Sequence, residues 1–223
     1  MTATTGSFRF TDAPMQRDRT AGWRFVREAG DVFQDVDGTW YLTSLEAVRF
    51  AHRNPEIFSS ARAFDELGSP VPLIPLAIDP PDHVRYRRVL DQMLAPRVVN
   101  ALEGGLRAQI RDLIAAFSGR GRCEVVDEIA RLYPTQVFLT LFGLPVADRD
   151  QFIQWSEAII ENSTVGSGEP PPEVLENAMA LFVYLQGHVE KKRAQPGDDM
   201  LSRILALSGD EAWSDQEVLG LCF

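Results

Sequence analysis

The sequence predicts a mainly α-helical fold with a small β region. Apolar residues recur at helical spacing through most of the second half, and only residues 32–43 carry a hairpin signature. The 223 residues are 45% hydrophobic and 24% charged, close to globular averages, which excludes a disordered chain, a collagen-like repeat and a disulfide-stapled miniprotein. At roughly 100 to 200 residues per domain, this is one large domain or two small ones.

The hairpin comes first. Val32, Phe33, Val36 and then Trp40, Tyr41, Leu42 flank Asp37-Gly38, a pair suited to a type I′ turn. Ser44 caps a short helix carrying Leu45, Val48 and Ala51, which ends at Asn54-Pro55. From Phe58 to Asp79, Pro70, Pro72 and Pro75 are spaced among Val71, Leu73, Ile74, Leu76 and Ile78, so this apolar stretch is a loop rather than a helix. A long apolar loop is expected to fold over something, a ligand included.

Helices follow. Val99, Leu102, Leu106, Ile110, Leu113, Ile114 and Phe117 form one stripe ending at Ser118-Gly119. Ile129 to Phe142 is apolar on nearly every side, kinked or restarted at Pro134, and is expected to be the central core helix. A helix over 149–162 precedes a Gly- and Pro-rich loop, Gly166 to Pro172, where a hinge or lid fits. Leu175, Ala178, Phe182, Leu185 and Val189 read as an ordinary buried face rather than a coiled coil. Asp198-Asp199 opens a short helix through Leu207, and Ser214 with Glu217 forms a capping box. The sequence stops at Phe223 in an apolar run with no stop signal, which reads as the middle of a helix.

Charge and cysteine content narrow the partners. With 22 Lys plus Arg against 32 Asp plus Glu, the net charge is −10, the opposite of a phosphate-tracking surface, so no nucleic-acid partner is expected. Cys123 and Cys222 show neither CxxC nor Cys/His spacing, so both read as buried structural thiols and a reducing cytoplasm fits. The N-terminus lacks a basic stretch followed by an apolar one, and the longest apolar run is broken by Thr140, Gly143 and Pro145, so no membrane insertion is expected.

The chemistry concentrates in Asp79-Pro80-Pro81-Asp82-His83-Val84-Arg85-Tyr86-Arg87-Arg88. Asp79 can cap, Pro80 fits the first helical position, and the helix runs to about Leu94. His83 and Arg87, four apart, place an imidazole and a guanidinium on one face near the positive end of the helix dipole, which suits carboxylates or phosphates. Spacing alone equally allows both to pair with acidic residues of this acidic chain. Arg85 and Arg88 lie off that face and read as a solvated basic edge. His52 and His188 lack a partner spacing and receive no role.

The run D-P-P-x-H-x-x-x-R, followed by Leu94-Ala95-Pro96-Arg97, resembles the signature of the heme-side helix of bacterial cytochromes P450. Other segments fall in family order: the hairpin, Asn54-Pro55-Glu56-Ile57-Phe58-Ser59-Ser60, Leu141-Phe142-Gly143-Leu144-Pro145, Asp198-Asp199-Met200-Leu201-Ser202 and Gly220-Leu221-Cys222-Phe223. Leu94 stands where the family commonly has phenylalanine, an apolar change of similar size.

The resemblance implies an N-terminal portion of a single cytochrome P450 domain, with a hairpin at 32–43, a heme-side helix at 79–95 and a lid loop at 163–172. It implies heme b, with His83 and Arg87 holding its propionates. Val71 and Leu76 would face a hydrophobic small-molecule substrate. The parent protein would be a cytoplasmic heme-thiolate monooxygenase supplied by a ferredoxin-type electron donor, for which Arg85 and Arg88 are candidate docking residues. The family's oxygen-activating helix, Glu-x-x-Arg pair and ligand cysteine would lie beyond Phe223, so the chain alone is expected to be inactive and loosely packed. A rival reading is a non-catalytic helical binding module or a decayed remnant, which a natural stop after Phe223 would favour.

Overall fold

The computed structural model describes residues 3–5, 17–162 and 170–223. They fall into two compact units, Met1–Ser59 and Ser60–Phe223.

The first unit is a small sheet with two helices. Strand β1 (Ala3–Thr5) pairs in parallel with β2 (Val32–Gln34), which pairs antiparallel with β3 (Trp40–Leu42), Phe33 facing Tyr41. Helix α1 (Arg19–Glu28) starts at Asp18, whose carboxylate accepts from Thr20 N and Ala21 N. Val26 and Phe33 are fully buried, with Phe25 edge-on to Phe33. Neither β1 nor α1 is part of the sequence-based expectation. The hairpin turn also differs from it. Asp35 N donates to Thr39 O and Gly38 N to Asp35 O, and Gly38 alone takes a positive φ, 86°. This is a three-residue loop with a left-handed glycine rather than a two-residue type I′ turn. The Asp35 carboxylate selects it by accepting from Asp37 N, Thr39 N and the Tyr41 hydroxyl. Helix α2 (Leu45–Arg53) begins at Ser44, whose hydroxyl accepts from Ala47 N, and ends at Asn54.

The second unit is helical. It comprises helices α3 (Asp82–Met93), α4 (Pro96–Ser118), α5 (Leu132–Phe142), α6 (Arg149–Asn162), α7 (Pro172–Ala194), α8 (Met200–Leu205) and α9 (Asp215–Cys222), and all but α4 contribute side chains to one apolar core. The centre of that core is α7, not α5. Val174, Ala178, Leu181, Leu185 and Val189 of α7 are all buried, whereas α5 buries only Leu139 and Phe142. A nearly all-apolar helix reads as central from its sequence, but burial depends on neighbours that a periodicity does not reveal. A π-helical turn, Val126–Ala130, precedes α5, and Pro134 falls in its first turn, where a missing N–H is tolerated. The stripe of α4 stays half-exposed, with no residue of the helix fully buried.

Two polar devices close this unit. Asp199 caps α8 by accepting from Ser202 N at 2.9 Å and pairs with Lys192 of α7. Gly143, at φ 66°, ends α5 where a Cβ would lie 2.4 Å from Asp199 Cγ. Burial works against the Asp199 carboxylate, but Lys192 and Ser202 outweigh it and hold its pKa below the ordinary value. On α7, burial pushes the His188 pKa down, and its ring packs against Tyr184, whose hydroxyl donates to Asp148. Of the expected lid loop 163–172, residues 163–169 lie outside the described residues.

Candidate functional site

Helix α3 is set by its buried stripe, Tyr86, Val89 and Leu90. At 100° per residue this stripe lies between two flanks, one holding His83 and Arg87 and the other Arg85. The helix starts later than the sequence indicates, at Asp82, with Pro81 in the cap position and no side-chain cap. Asp79 instead accepts from Ser60 N at 2.8 Å, tying the two ends of the apolar loop together.

The His83 and Arg87 flank is open. His83 is half-buried, and among the described residues its imidazole has no hydrogen-bond partner. Arg87 is half-exposed and its Nη2 lies 2.6 Å from Asp91 Oδ1. An exposed i,i+4 pair of this kind contributes only about 0.3 to 0.5 kcal/mol, so Arg87 yields readily to a better anion. This flank thus offers an unpartnered imidazole and a guanidinium held by one weak local pair.

The Arg85 flank is closed, contrary to its reading as a solvated basic edge. Arg85 Nη1 lies 2.6 Å from Glu217 Oε1, Nη2 donates to Ala212 O, and the Tyr86 hydroxyl donates to the same Glu217 oxygen at 2.6 Å. Trp213 packs edge-on against Tyr86 with ring centroids 4.9 Å apart. The Ser214 backbone N–H and hydroxyl both donate to Glu217 Oε2. Burial would raise the Glu217 pKa, but these donors outweigh it and bring it down to about 2. Burial, reinforced by the hydrogen bond to Glu217, pushes Tyr86 up to about 12. Sequence reading found Glu217 only as a capping residue, because no local pattern announces an ion pair between positions 85 and 217.

The apolar loop is more anchored than its composition implies. It contains a 3-10 turn, Asp65–Leu67, ended by Gly68, and it buries Leu73 and Ile74. Much of its apolar content therefore covers protein rather than a ligand. Val71 lines a depression of about 240 Å³ with Phe64, Ser69, Leu73 and Ala77. Leu76 does not line that depression and is 58% exposed. A second cavity, about 530 Å³, lies among Met93, Leu102, Leu141 and Met200, with Arg97 and Arg203 also in its lining.

The donor set at α3 fits the carboxylates of a heme, since His83 and Arg87 supply an imidazole and a guanidinium on one flank. Cys222 does not suit the iron. Cys222 is buried, and burial pushes its thiol up to about 12, so it stays protonated at neutral pH. Cys123 is half-buried rather than fully buried as expected. Among the described residues no cluster of His, Cys, Asp and Glu can hold a metal ion, and no helix is long and apolar enough to cross a membrane.

No protein-family model matches the sequence. Individual proteins do. The chain is 31% identical over 215 residues to erythromycin C-12 hydroxylase of Saccharopolyspora erythraea, covering 92% of this chain and 53% of that protein. It is 32% identical over 180 residues to vitamin D(3) 25-hydroxylase of Pseudonocardia autotrophica, covering 77% and 43%. Among solved structures, a mutant of P450 EryK in complex with erythromycin B superposes with a TM-score of 0.77 at 30% identity, over 92% of this chain and 54% of that one. CalO2 gives a TM-score of 0.81 at 25% identity, over 97% and 57%. The chain spans about half the length of the curated relatives it matches. Over that half it has the cytochrome P450 fold, mainly α with a small β region.

Proposed function

We propose that this chain is the N-terminal portion of a bacterial cytochrome P450, a heme-thiolate monooxygenase acting on a hydrophobic small molecule. The observation that carries the reading is the match to erythromycin C-12 hydroxylase, which spans 92% of the chain and therefore includes α3 with His83 and Arg87.

His83 and Arg87 would hold the two propionates of heme b, the guanidinium by its fork and the imidazole by one N–H. Bound there, heme supplies oxygen activation, tuned by a cysteine thiolate that this chain does not provide. The chain's own contribution is binding and orientation. The Glu217 network fixes the rotation of α3, and so the direction of its His83 and Arg87 flank. Val71 and Leu76 would present apolar surface to the substrate, with Val71 set in the depression beside Phe64. Electrons would come from a ferredoxin-type donor. Arg88 is the exposed basic candidate for its docking, since Arg85 is engaged with Glu217.

Sequencing the reading frame past Phe223 tests this reading. A Glu-x-x-Arg pair and a cysteine loop in frame are the expected result. A stop codon directly after Phe223 would favour a non-catalytic helical module or a decayed remnant.

A further inference from the structure

Gly220 lies one helical turn after Glu217 on α9, and it is buried. Its carbonyl accepts from Ile74 N at 2.8 Å. A Cβ at this position would lie 2.2 Å from the Pro72 carbonyl oxygen and 3.6 Å from Ile74 Cγ1. Gly220 is not among the glycines with positive φ, so the requirement for glycine is close backbone approach rather than an unusual dihedral. The apolar loop thus rests on α9 at the point between Val71, which lines the depression, and Leu76, which is exposed.

We infer that Gly220 is a specificity-positioning residue: the missing side chain seats the Pro72–Ile74 backbone on α9 and so sets where Val71 and Leu76 stand toward an apolar ligand. Gly220 acts through the loop and does not touch the ligand. The inference rests on the reading above that this loop faces the substrate. Adding a methyl group forces the Pro72 carbonyl to retreat by roughly an ångström before it reaches ordinary van der Waals contact. That movement carries the two flanking side chains with it.

The test compares Gly220→Ala with Ile74→Val, which removes one buried methylene but keeps the backbone hydrogen bond. Amide hydrogen exchange at Ile74 is measured in the heme-loaded full-length protein. A graded series of 1-alkylimidazoles is then titrated into the heme-loaded full-length protein and followed by the Soret band, the imidazole head binding iron and the tail sampling the apolar surface. In the unaltered chain the Ile74 amide should be protected as well as the α9 amides. Gly220→Ala should speed its exchange at least tenfold and change the order of preference among tail lengths, while Ile74→Val leaves that order unchanged. Pro72→Ala, which frees the backbone without a clash, should shift the order in the same direction and serves if Gly220→Ala does not fold. An unprotected Ile74 amide in the unaltered chain overturns the seat itself. Faster exchange with an unchanged order overturns the role in specificity, whereas the assignment of the loop to substrate fails only if Leu76→Phe, a change in the loop itself, also leaves the order unchanged. Equal reordering by Ile74→Val reduces the effect to core destabilisation and overturns the inference as well.

Discussion

The Tyr86 hydroxyl donates to Glu217 Oε1 at 2.6 Å, across 131 positions of sequence. Together with Arg85 on the same oxygen, this contact locks α3 to α9. Glu217→Gln removes the charge from the centre of the network and should cost about 2 kcal/mol, the range of charge-assisted hydrogen bonds. The pH dependence has a definite sign. The folded-state pKa of about 2 lies below the ordinary 4.5, so this stabilisation is complete above pH 4.5 and fades as pH falls toward 2. Urea midpoints of the two proteins should therefore differ at pH 7 and converge below pH 4.5. A gap that stays constant to pH 3 contradicts the assignment.

Tyr86→Phe keeps the edge-on packing against Trp213 and removes only the hydroxyl. A loss of about 1.5 to 3 kcal/mol is expected from one hydrogen bond to a charged partner. Tyr86 is raised from 10 to about 12, so its protonation contributes stability below pH 10 that is lost between 10 and 12. The difference between Tyr86→Phe and the unaltered chain should shrink over that alkaline window, read by thermal unfolding followed by circular dichroism.

Gly143→Ala should be among the most damaging single-methyl additions. The new Cβ would meet Asp199 Cγ at 2.4 Å, and the backbone there has a left-handed φ of 66°. Relief requires Asp199 to leave Lys192 and the α8 cap, and losing the charge-assisted hydrogen bonds of this part-buried pair costs about 1.5 to 3 kcal/mol. Asp199→Ala should cost a similar amount in chemical denaturation, because it leaves the Lys192 ammonium, 17% exposed, without its partner. A loss below 1 kcal/mol in either variant contradicts this account.

Much of the helical structure was legible in the sequence because its signals are local. Ser44, Asp199 and the Ser214/Glu217 box mark three helix starts, and each makes the hydrogen bonds its residue type predicts. Helix α7 follows from periodicity alone. What stayed hidden depends on distant partners: the Arg85–Glu217 pair, the seat of Pro72 on Gly220, and the centrality of α7 over α5. The hairpin shows the boundary between the two. Asp37-Gly38 signals a turn, but the type is decided by the Asp35 carboxylate three residues before the glycine.

In the full-length protein, His83→Ala and Arg87→Ala should each weaken heme retention. A charged hydrogen bond of about 1.5 to 3 kcal/mol corresponds to roughly a tenfold to hundredfold faster loss. Transfer of heme to an apo-globin acceptor gives the rate, and the double variant should lose heme faster than either single one. Rates equal to the unaltered protein would return Arg87 to its pair with Asp91 and leave His83 without a role.

Leu76→Phe adds an aromatic ring at an exposed position of the apolar loop and should reorder binding among apolar ligands. Spectral titrations over a ligand panel, before and after the change, decide it. An unchanged ranking removes Leu76 from the site, leaving Val71 as the loop's contact.

The carbon monoxide spectrum of the reduced, heme-mixed protein tests the central claim most directly, compared between the 223-residue chain and the same chain extended through its reading frame. The account predicts a red-shifted, thiolate-type Soret band for the extended protein and none for the chain alone, whose Cys222 is buried and protonated. A thiolate-type band from the chain alone, or its absence from the extended protein, would contradict it.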